Sequence, residues 1–331
     1  MLGIGIETSC DETSAAIVKN GVESLANVVY SQISEHAPYR GVVPEIASRS
    51  HLEKINFVCR EAFERAEISP QDLDYIAVTH RPGLIGSLMI GAQFARCLSL
   101  VFNIPIIAVN HLEAHFYAAA LESSSMEYPF LGLLLSGGNS VLYRVEGLNV
   151  MEVLADTRDD ALGEAFDKAA AILDLPYPGG PSIEKKAEEF SPEAVHQSLF
   201  PRLLKNLPGD EVGFSFSGIK TAVLRAFRDG QDTARIAFDF QNTVFELVER
   251  MLLRGVRLSG IRRVIASGGV LANGALRHRL RRIEAENGLS VTFPDSRLLC
   301  TDNGGMVAAL GYALSSRGDK TPLDFSVSSK R

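Results

Sequence analysis

The stretch LGIGIETSCDETSAAIVK, from Leu2 to Lys19, has two short apolar runs separated by a polar one. We predict that the apolar runs, Gly3 to Glu7 and Ser14 to Lys19, are the strands of a hairpin and that Thr8 to Thr13 form its turn. A polar, acidic turn between buried strands is typical of a functional loop.

The second half of the chain repeats this pattern. Phe130 to Leu135 is an apolar run, Ser136 to Ser140 is a glycine-containing turn, and Val141 to Val145 is a returning apolar run. These residues predict a second hairpin.

Each half also contains a strand that leads through a glycine-containing loop into a helix. In the first half, Tyr75 to Val78 precedes a helix near Ser87 to Val101; in the second, Val264 to Ala266 precedes a helix that starts at about Gly274. We therefore expect an α/β protein with two duplicated lobes around a central cleft. Residues 175–228 lack clean strands and are rich in proline, which predicts a largely helical insertion in the second lobe.

Composition excludes several classes of protein. The chain has 331 residues, 46% hydrophobic and 22% charged, which is ordinary for a folded protein of about two domains and excludes collagen, coiled coil and disorder. The net charge of −7 means that an RNA partner needs a local basic surface. One sequence cluster offers such a surface, although each member alone is more typical of a solvated helix face. It consists of Arg254, Arg257, Arg262, Arg263, Arg277, Arg279, Arg281 and Arg282.

Cysteine usage and apolar segments indicate the compartment. The four cysteines show no CxxC spacing, which favours a reducing cytoplasm over a disulfide framework. The first residues contain an acidic run where a signal peptide needs a long apolar stretch. The most apolar region, Leu84 to Val109, is interrupted by Gln93, Arg96 and Asn103. We interpret it as a buried helix followed by a strand, and we expect no membrane association.

Two histidines four residues apart, His111 and His115, lie in the run NHLEAHFYAA after a predicted strand. This separation places both imidazoles on one helix face, a spacing that metal ligands use. Without a third ligand the pair is equally typical of two polar residues at a helix start. Asp302, which precedes the helical run Met306 to Ala313, is a candidate third ligand, and its competing interpretation is a helix N-cap.

The order of residues excludes one class of metalloenzyme. In a zinc peptidase the catalytic Glu directly follows the first His, whereas here Glu113 comes two positions later. Two helical steps turn about 200°, so Glu113 points away from the imidazole face. Two imidazoles and a carboxylate would leave coordination positions open and suit iron or zinc equally.

Glycine-rich turns are candidate phosphate-binding loops. The chain has no GxxxxGK[ST] motif, which excludes a P-loop. Two other loops, LLSGG and Ser267 to Asn273, would let backbone amides approach an anion. Each alone is also typical of an ordinary turn, but together with Asp11 and Glu12 of the first hairpin they predict a nucleotide site.

An ordered series of motifs resembles the TsaD/Gcp proteins, which belong to the actin-like, sugar kinase and Hsp70 ATPase superfamily. The resemblance covers essentially the whole chain. The motifs are IETSCDETSAAI, GVVPEIASRSH, PGLIGSL, HLEAH, LLSGG, GEAFDKAA, YPGGP, FSFSGIKT, SGGVLAN and CTDNGG.

The resemblance implies two actin-like, RNase H-like lobes around a nucleotide cleft. We expect the first lobe to comprise residues 1–125, joined by the C-terminal helix and tail at about 302–331. The second lobe would comprise residues 126–301, with the helical insertion at about 175–228. The implied activity is transfer of the threonylcarbamoyl group of threonylcarbamoyl-adenylate to the exocyclic amine of adenosine 37 in tRNAs reading ANN codons, with release of AMP.

The resemblance also implies roles for individual residues. His111, His115 and Asp302 would hold one divalent metal ion, iron or zinc. Asp11 and Glu12 would be the acids nearest the transferred group, with Asp11 as the base. An adenine nucleotide, whether threonylcarbamoyl-adenylate, AMP or ATP, would contact residues of the second lobe. These residues are Leu134, Leu135, Ser136, Gly137, Gly138, Asp167, Gly180, Glu184 and Asn273.

The implied partners are tRNA, a TsaB-like homologue that pairs with the N-terminal lobe, a TsaE-like ATPase and a TsaC-like enzyme that supplies the intermediate; the implied location is the cytoplasm. Two residues depart from the family pattern, because Asn139 stands where the family usually has His and Arg81 where it usually has Gly. Two other functions therefore stay open. One is an actin-like ATPase or kinase without tRNA chemistry, and the other is an inactive scaffold subunit.

Overall fold

The computed structural model describes residues 1–121, 126–192, 197–200 and 213–330. The chain divides into two compact units, one of Met1–Glu127 with Pro294–Arg331 and the other of Tyr128–Phe293. Each unit has its own five-stranded sheet. The lobe boundaries expected from the sequence, 1–125 with 302–331 and 126–301, stay a prediction.

The sheet of the first unit has the order β3-β2-β1-β4-β5. Its strands are β1 (Leu2–Glu7), β2 (Glu12–Lys19), β3 (Glu23–Ser31), β4 (Tyr75–Arg81) and β5 (Ile106–Asn110). β2 pairs antiparallel with both β1 and β3, whereas β1, β4 and β5 run parallel. The hairpin predicted from the first residues is confirmed, and Glu7 with Ser14 is its last pair before the turn.

Four helices of the first unit follow in chain order: α1 (Ile33–His36), α2 (Pro44–Ala66), α3 (Ile85–Phe102) and α4 (His111–Tyr117). Helices α2 and α3 cover one face of the sheet, where Ile55, Val58 and Ala95 pack with Ile4 and Ile6 in a buried core. Burial of each isoleucine or valine side chain in this core stabilises the fold by roughly 1.5–3 kcal/mol.

Helix α3 is the one helix of the described residues that is long and apolar enough to cross a membrane. Its length and composition are also those of a core helix in a soluble protein, and Leu88, Ala92 and Ala95 are fully buried. The predicted helix and strand of Leu84 to Val109 are confirmed as α3 and β5, although α3 is buried on only one side. The expected lack of membrane association stays a prediction.

The sheet of the second unit has the order β10-β9-β6-β7-β8. Its strands are β6 (Phe130–Leu135), β7 (Ser140–Gly147), β8 (Val150–Asp156), β9 (Arg263–Ser267) and β10 (Ser290–Thr292). The pairs β6–β7 and β7–β8 are antiparallel, and β6, β9 and β10 run parallel. The two units thus share one sheet topology, and the duplication predicted from the two hairpins is confirmed.

The helices of the second unit are α5 (Leu162–Ile172), α6 (Gly179–Glu188), α7 (Ser217–Arg228), α8 (Thr233–Ser259) and α9 (Gly274–Asn287). Helices α6 and α7 lie within the predicted helical insertion, residues 175–228. Residues 193–196 and 201–212 of that insertion lie outside the described part of the chain.

The chain ends in the first unit with α10 (Arg297–Cys300) and α11 (Gly304–Ser316). Helix α11 covers the second face of the first sheet, where Ala308 packs on Ala16 and Val18. Its start approaches β1 closely, because a Cβ atom on Gly5 would lie 2.0 Å from the carbonyl oxygen of Gly304. The amide of Gly304 also donates a hydrogen bond to Ser14 Oγ at 2.8 Å. These contacts fix the segment that precedes α11, which contains Asp302.

Candidate metal centre and nucleotide loops

The two histidines of the HLEAH motif lie at the start of α4. Asn110, the last residue of β5, caps this helix, because its Oδ1 accepts hydrogen bonds from the amides of Leu112 and Glu113 at 2.9 and 3.3 Å. His111 and His115 then occupy successive turns on one face, with ring centroids 4.7 Å apart. Helix geometry and the Asn110 cap therefore place both imidazoles together.

Asp302 approaches the same two rings. Its Oδ1 lies 3.6 Å from His111 Nε2 and 3.2 Å from His115 Nε2. The interpretation of Asp302 as a helix N-cap is wrong, because Asn303 fills that role and accepts a hydrogen bond from the Met306 amide at 3.1 Å. The carboxylate of Asp302 is thus directed to the histidines rather than to the helix.

The three side chains fit a metal ion. Their potential ligand atoms all lie within 4.8 Å of one another. Ligands bound tetrahedrally at about 2.1 Å from one ion stand about 3.4 Å apart, close to the two distances observed. Within the described residues, neither ring nitrogen of His115 makes a well-aligned hydrogen bond although both are buried; Nε2 has only the 3.2 Å contact with Asp302 Oδ1. Burying an unpaired imidazole nitrogen is unfavourable, and coordination of a metal would satisfy the one that faces Asp302.

Charge around the cluster also favours a cation. Burial would lower the pKa of His111, but Asp302 and Glu7 outweigh it and raise that pKa to about 9. Burial would raise the pKa of Asp302, yet His111 and His115 lower it to about 2. In the absence of an ion, therefore, a proton on His111 balances the carboxylates of Glu7 and Asp302. A divalent cation can replace that proton and balance the same charges.

Glu7 is a candidate functional residue that sequence reasoning missed. It is the last residue of β1, is fully buried, and places Oε2 3.2 Å from His111 Nδ1. The hydroxyl of Thr79 and the amide of Ser9 donate hydrogen bonds to its carboxylate. A carboxylate behind a ligating histidine fixes the ring so that Nε2 faces the metal. The available signal was an acid that ends an otherwise apolar central strand.

Asp11 and Glu12 lie at the turn of the first hairpin, in the same unit as the histidines. Burial and the neighbouring Asp11 carboxylate raise the pKa of Glu12 well above its ordinary value, and the charge of Asp302 adds to the effect. Burial and Asp11 likewise raise the pKa of the Cys10 thiol. Perturbed acids of this kind are typical of functional sites.

The LLSGG loop forms a tight turn between β6 and β7. Leu134 and Leu135 are fully buried strand residues, so only their backbone can reach a ligand. The Ser136 amide donates to the Asn139 carbonyl at 2.8 Å. Cβ atoms added to Gly137 or Gly138 would meet no atom of the described residues within 4 Å. These two glycines therefore border open space, as a loop that approaches a phosphate requires.

The other predicted nucleotide residues make hydrogen bonds within the second unit. Asp167 Oδ1 accepts from the Gly179 amide at 2.7 Å, and Glu184 Oε1 accepts from the Gly274 amide at 2.6 Å. Asn273 caps α9 and donates to Gln241 Oε1 at 2.8 Å. A Cβ on Gly180 would meet no described residue within 4 Å. Each of the three polar side chains thus has a structural partner, and their nucleotide-binding roles stay predictions.

These contacts connect the predicted nucleotide loops in a closed series. The amide of Gly163, in α5, donates to the Ser136 carbonyl at 3.2 Å. Asp167 of the same helix accepts a hydrogen bond from the first residue of α6, and Glu184 of α6 accepts one from the first residue of α9. Gly268, which precedes α9, packs directly on the strand before the LLSGG turn. An added Cβ there would lie 2.3 Å from the Leu135 carbonyl oxygen. The loops are therefore held at fixed positions relative to one another.

Several members of the arginine cluster serve the packing of the second unit. Arg279 and Arg282 both lie 3.0 Å from Glu249 of α8, and Arg281 pairs with Glu284 at 2.9 Å. Arg277 donates to the Leu271 carbonyl at 2.6 Å. These four arginines therefore have partners within the second unit, but Arg281 and Arg282 remain about half exposed, and an RNA-binding surface at the cluster stays a prediction.

Neither departure from the family pattern changes one of the three candidate metal ligands. Asn139 contributes its backbone to the LLSGG turn, where its amide donates to Ser136 Oγ at 3.1 Å, and a histidine backbone would do the same. Arg81 is the exposed last residue of β4, paired in register with Asn110. The changes therefore alter two side chains and leave the turn and the strand pairing intact.

Known proteins with similar structures share the fold at low sequence identity. Full-length HypF, crystallised in a phosphate- and nucleotide-bound form, is 16% identical with a TM-score of 0.61, over 95% of this chain and 55% of HypF. Component A of (R)-2-hydroxyglutaryl-CoA dehydratase from Acidaminococcus fermentans is also 16% identical with a TM-score of 0.56, over 96% of this chain and 99% of that one. These similarities confirm the actin-like two-lobed fold class.

Sequence comparison is more specific. A tRNA N6-adenosine threonylcarbamoyltransferase of Leptospira interrogans is 53% identical over 100% of this chain and 98% of its own length. One from Geotalea uraniireducens is 45% identical over 95% and 92%. The TsaD family model, described as tRNA N6-adenosine threonylcarbamoyltransferase, matches residues 23–309. This chain therefore belongs to the TsaD family.

Proposed function

We propose that this protein transfers the threonylcarbamoyl group of threonylcarbamoyl-adenylate to the exocyclic amine of adenosine 37 in tRNAs that read ANN codons. The amine nitrogen bonds to the carbamoyl carbon, the bond from that carbon to the phosphate oxygen breaks, and AMP leaves. Family membership supports the reaction, and the single structural observation that carries it is the convergence of His111, His115 and Asp302.

One divalent ion, iron or zinc, is held by these three residues in the proposal. When bound, such an ion supplies Lewis-acid chemistry that polarises a phosphoryl or carbonyl oxygen of the intermediate. The chain itself fixes the ligands, because Glu7 orients His111 and the close contact of Gly5 with Gly304 fixes the segment containing Asp302. Within the described residues Asp302 is only partly buried, and in this proposal the substrate approaches the cluster at its exposed part.

The acids of the first hairpin move the proton in this proposal. Asp11 accepts the proton that the amine loses on attack. Glu12 retains its own proton to higher pH because of burial and the Asp11 charge. Because an acyl-adenylate already carries a good leaving group, positioning and charge stabilisation dominate the catalysis. A general base increases the rate by a further factor of about 10² to 10⁴.

The loops of the second unit bind the adenylate in this proposal. The amides of Gly137 and Gly138 face the phosphate, since both glycines border open space. Asp167, Gly180, Glu184 and Asn273 line the nucleoside, as the resemblance implies. HypF, which has the same fold, was crystallised in a phosphate- and nucleotide-bound form, so this fold is compatible with a bound nucleotide.

The tRNA needs cations near the hairpin, since the whole chain is acidic. Arg40, Arg49 and Arg81 are exposed, and within the described residues none has an acidic partner. Arg49 lies in the first turns of α2 and Arg81 directly precedes the Pro82–Leu84 segment, whose Leu84 amide donates to the Ser9 carbonyl at 2.8 Å. We propose that these arginines contact the tRNA backbone.

A TsaB-like homologue is proposed to pack on α2 and α3. Both helices expose apolar side chains, among them Leu52, Phe57 and Val101. A groove of about 760 Å³ runs beside them and includes Phe94 and Leu98. Exposed apolar patches of this kind are typical of protein interfaces. The TsaE-like ATPase, the TsaC-like supplier and a cytoplasmic location are proposed from the family alone.

Incubation of the metal-loaded protein and its partners with threonylcarbamoyl-adenylate and unmodified tRNA tests the proposal. We expect threonylcarbamoyladenosine in nucleoside digests, released AMP in equal amount, and neither product with the Asp302→Ala variant. ATP hydrolysis without modified tRNA would instead indicate the kinase-like alternative. Partner binding with no product from any donor would indicate the scaffold.

A further inference from the structure

The second sequence motif, GVVPEIASRSH, contains a buried histidine that the proposed reaction does not use. His51 lies in α2 and has no exposed surface. Two other polar side chains near it, Gln32 and His36, are also fully buried. Buried polar groups are retained only when hydrogen bonds satisfy them, so the partners of these three residues show what they hold.

His51 holds both ends of the segment that contains the two acids. Its Nε2 lies 2.9 Å from the Cys10 carbonyl oxygen, and its Nδ1 lies 2.8 Å from Thr13 Oγ1. A carbonyl oxygen can only accept, so Nε2 carries a hydrogen. In the neutral imidazole Nδ1 then accepts from the Thr13 hydroxyl. One neutral imidazole therefore bridges residues 10 and 13, and Asp11 and Glu12 are the two residues between them.

Gln32 holds the same turn from the other side. Its backbone amide donates to the Asp11 carbonyl at 3.0 Å. Its side-chain nitrogen, Nε2, lies 3.5 Å from His51 Nδ1. Three backbone or hydroxyl groups of the turn, from Cys10, Asp11 and Thr13, are thus bonded to this pair of residues.

His36 fixes the orientation of Gln32. The Val43 amide donates to His36 Nδ1 at 3.3 Å, so Nε2 carries the hydrogen and donates to Gln32 Oε1 at 3.1 Å. The amide group of Gln32 must then direct its nitrogen towards His51. Gln32 Nε2 also lies 3.5 Å from the Ala47 carbonyl oxygen. The donors that face Nδ1 of each ring require both histidines to be neutral, with the hydrogen on Nε2.

Burial lowers the pKa of His51, which keeps the imidazole neutral and able to accept from Thr13. No acidic side chain hydrogen-bonds to His51 within the described residues. Its bonds go to the turn and to Gln32, which distinguishes it from a histidine that only fills the core.

We propose that His51 is a positioning residue that holds the Asp11–Glu12 turn in its reactive arrangement, with Gln32 and His36 fixing its orientation. This inference rests on the proposed function of Asp11 as the base. Loss of a bond to the turn should then lower kcat, because the acid is misplaced, while substrate binding and the metal ligands stay as they are.

Two substitutions of His51 separate positioning from folding. His51→Gln keeps a side-chain NH₂ that can reach the Cys10 carbonyl, whereas His51→Asn is too short to do so. We expect kcat to fall about 10- to 100-fold in His51→Asn, in line with misplacement of a catalytic group, and less in His51→Gln. The KM for tRNA and the bound metal should change less than about threefold. Ser50→Ala is the matched control, because Ser50 is buried in the same helix but bonds to Glu35 at 3.1 Å; its kcat should match the wild type.

Thr13→Val provides a second variant in case the His51 variants do not fold, because it removes one bond to the imidazole from the partner side. Its kcat should also fall. A wild-type kcat in His51→Asn or in Thr13→Val, with a folded and metal-loaded protein, overturns the inference.

Asp11→Asn and the double variant Asp11→Asn with His51→Asn separate the two proposals. If His51 acts through Asp11, the double variant is no slower than Asp11→Asn alone. Additive losses overturn the inference while Asp11 keeps its role. A fully active Asp11→Asn overturns the proposed base, and with it the role of His51.

Discussion

At the scale of single residues, the orientation of His111 depends on an acid outside the ligand set. Glu7 accepts from Thr79 and Ser9 and lies against His111 Nδ1. The sequence could not show this contact, because Glu7 and His111 are 104 positions apart and meet only when β1 and β5 lie in one sheet. The ligand pair itself was predictable, because helical spacing places both histidines on one face.

Glu7→Gln tests this contact. The amide has nearly the shape of the carboxylate but carries no charge and can donate instead of accept, so the His111 ring loses its fixed orientation. We expect metal affinity to fall about 10- to 100-fold, the usual effect of losing such a partner, measured by competition with a chelator.

Glu249→Gln is the control for the loss of a buried acid. Glu249 is buried in the second unit and pairs with Arg279 and Arg282. Its variant should bind metal as the wild type does. Unchanged affinity in Glu7→Gln would show that Glu7 does not support His111.

At the scale of elements, the hairpins and the strand-loop-helix segments were predictable because their apolar periods are clear. β3 and β8, the strands that follow each hairpin along the chain, were not predicted. Both β3 and β8 are edge strands, and the alternation of apolar and polar residues is weak in each. β3 carries Glu23, Ser24 and Asn27 among its apolar residues, and β8 exposes Val150 and Val153. The contact of α11 with β1 also escaped prediction, because it joins residues from opposite ends of the chain.

Gly5→Ala tests the contact between β1 and α11. A new Cβ would lie 2.0 Å from the Gly304 carbonyl oxygen, and two backbone segments would have to separate. Overpacking of this kind costs about 1–3 kcal/mol or more. We expect a lower midpoint of thermal unfolding and weaker metal binding, since Asp302 directly precedes the displaced segment.

Gly41→Ala is the matched control, because a Cβ there meets no atom within 4 Å in the part of the chain that the structure describes. It should leave unfolding and metal binding unchanged. If Gly5→Ala behaves like Gly41→Ala, the start of α11 does not depend on this contact.

The FSFSG motif leads into α7, and Asp159 makes hydrogen bonds with three of its residues. The Asp159 carboxylate accepts from the Ser215 hydroxyl and from the amides of Phe216 and Ser217. Burial would raise the pKa of Asp159, but these hydrogen bonds lower it. The stabilisation is therefore complete above the ordinary pKa of 3.8 and is lost as pH falls below it.

Asp159→Asn should accordingly destabilise the protein at neutral pH, as measured by urea unfolding. The difference from the wild type should shrink as pH falls below the ordinary Asp pKa. A difference that does not depend on pH would show that the charge of Asp159 contributes nothing.

At the scale of the whole molecule, one sheet topology occurs twice, but the two units carry different chemistry. All three candidate metal ligands and both hairpin acids belong to the first unit, and all the predicted adenylate residues belong to the second. HypF and the dehydratase component share the fold at 16% identity, so the fold alone does not determine the reaction. The reaction class could be predicted because the motifs occur in family order along the chain.

The most direct test of the account is the amount of metal bound per chain. We expect one iron or zinc ion per wild-type chain by elemental analysis, and far less than one in His115→Ala and Asp302→Ala. The control His278→Ala changes an exposed histidine and should retain the ion. A full complement of metal in folded His115→Ala and Asp302→Ala proteins would contradict the central claim that these side chains hold it.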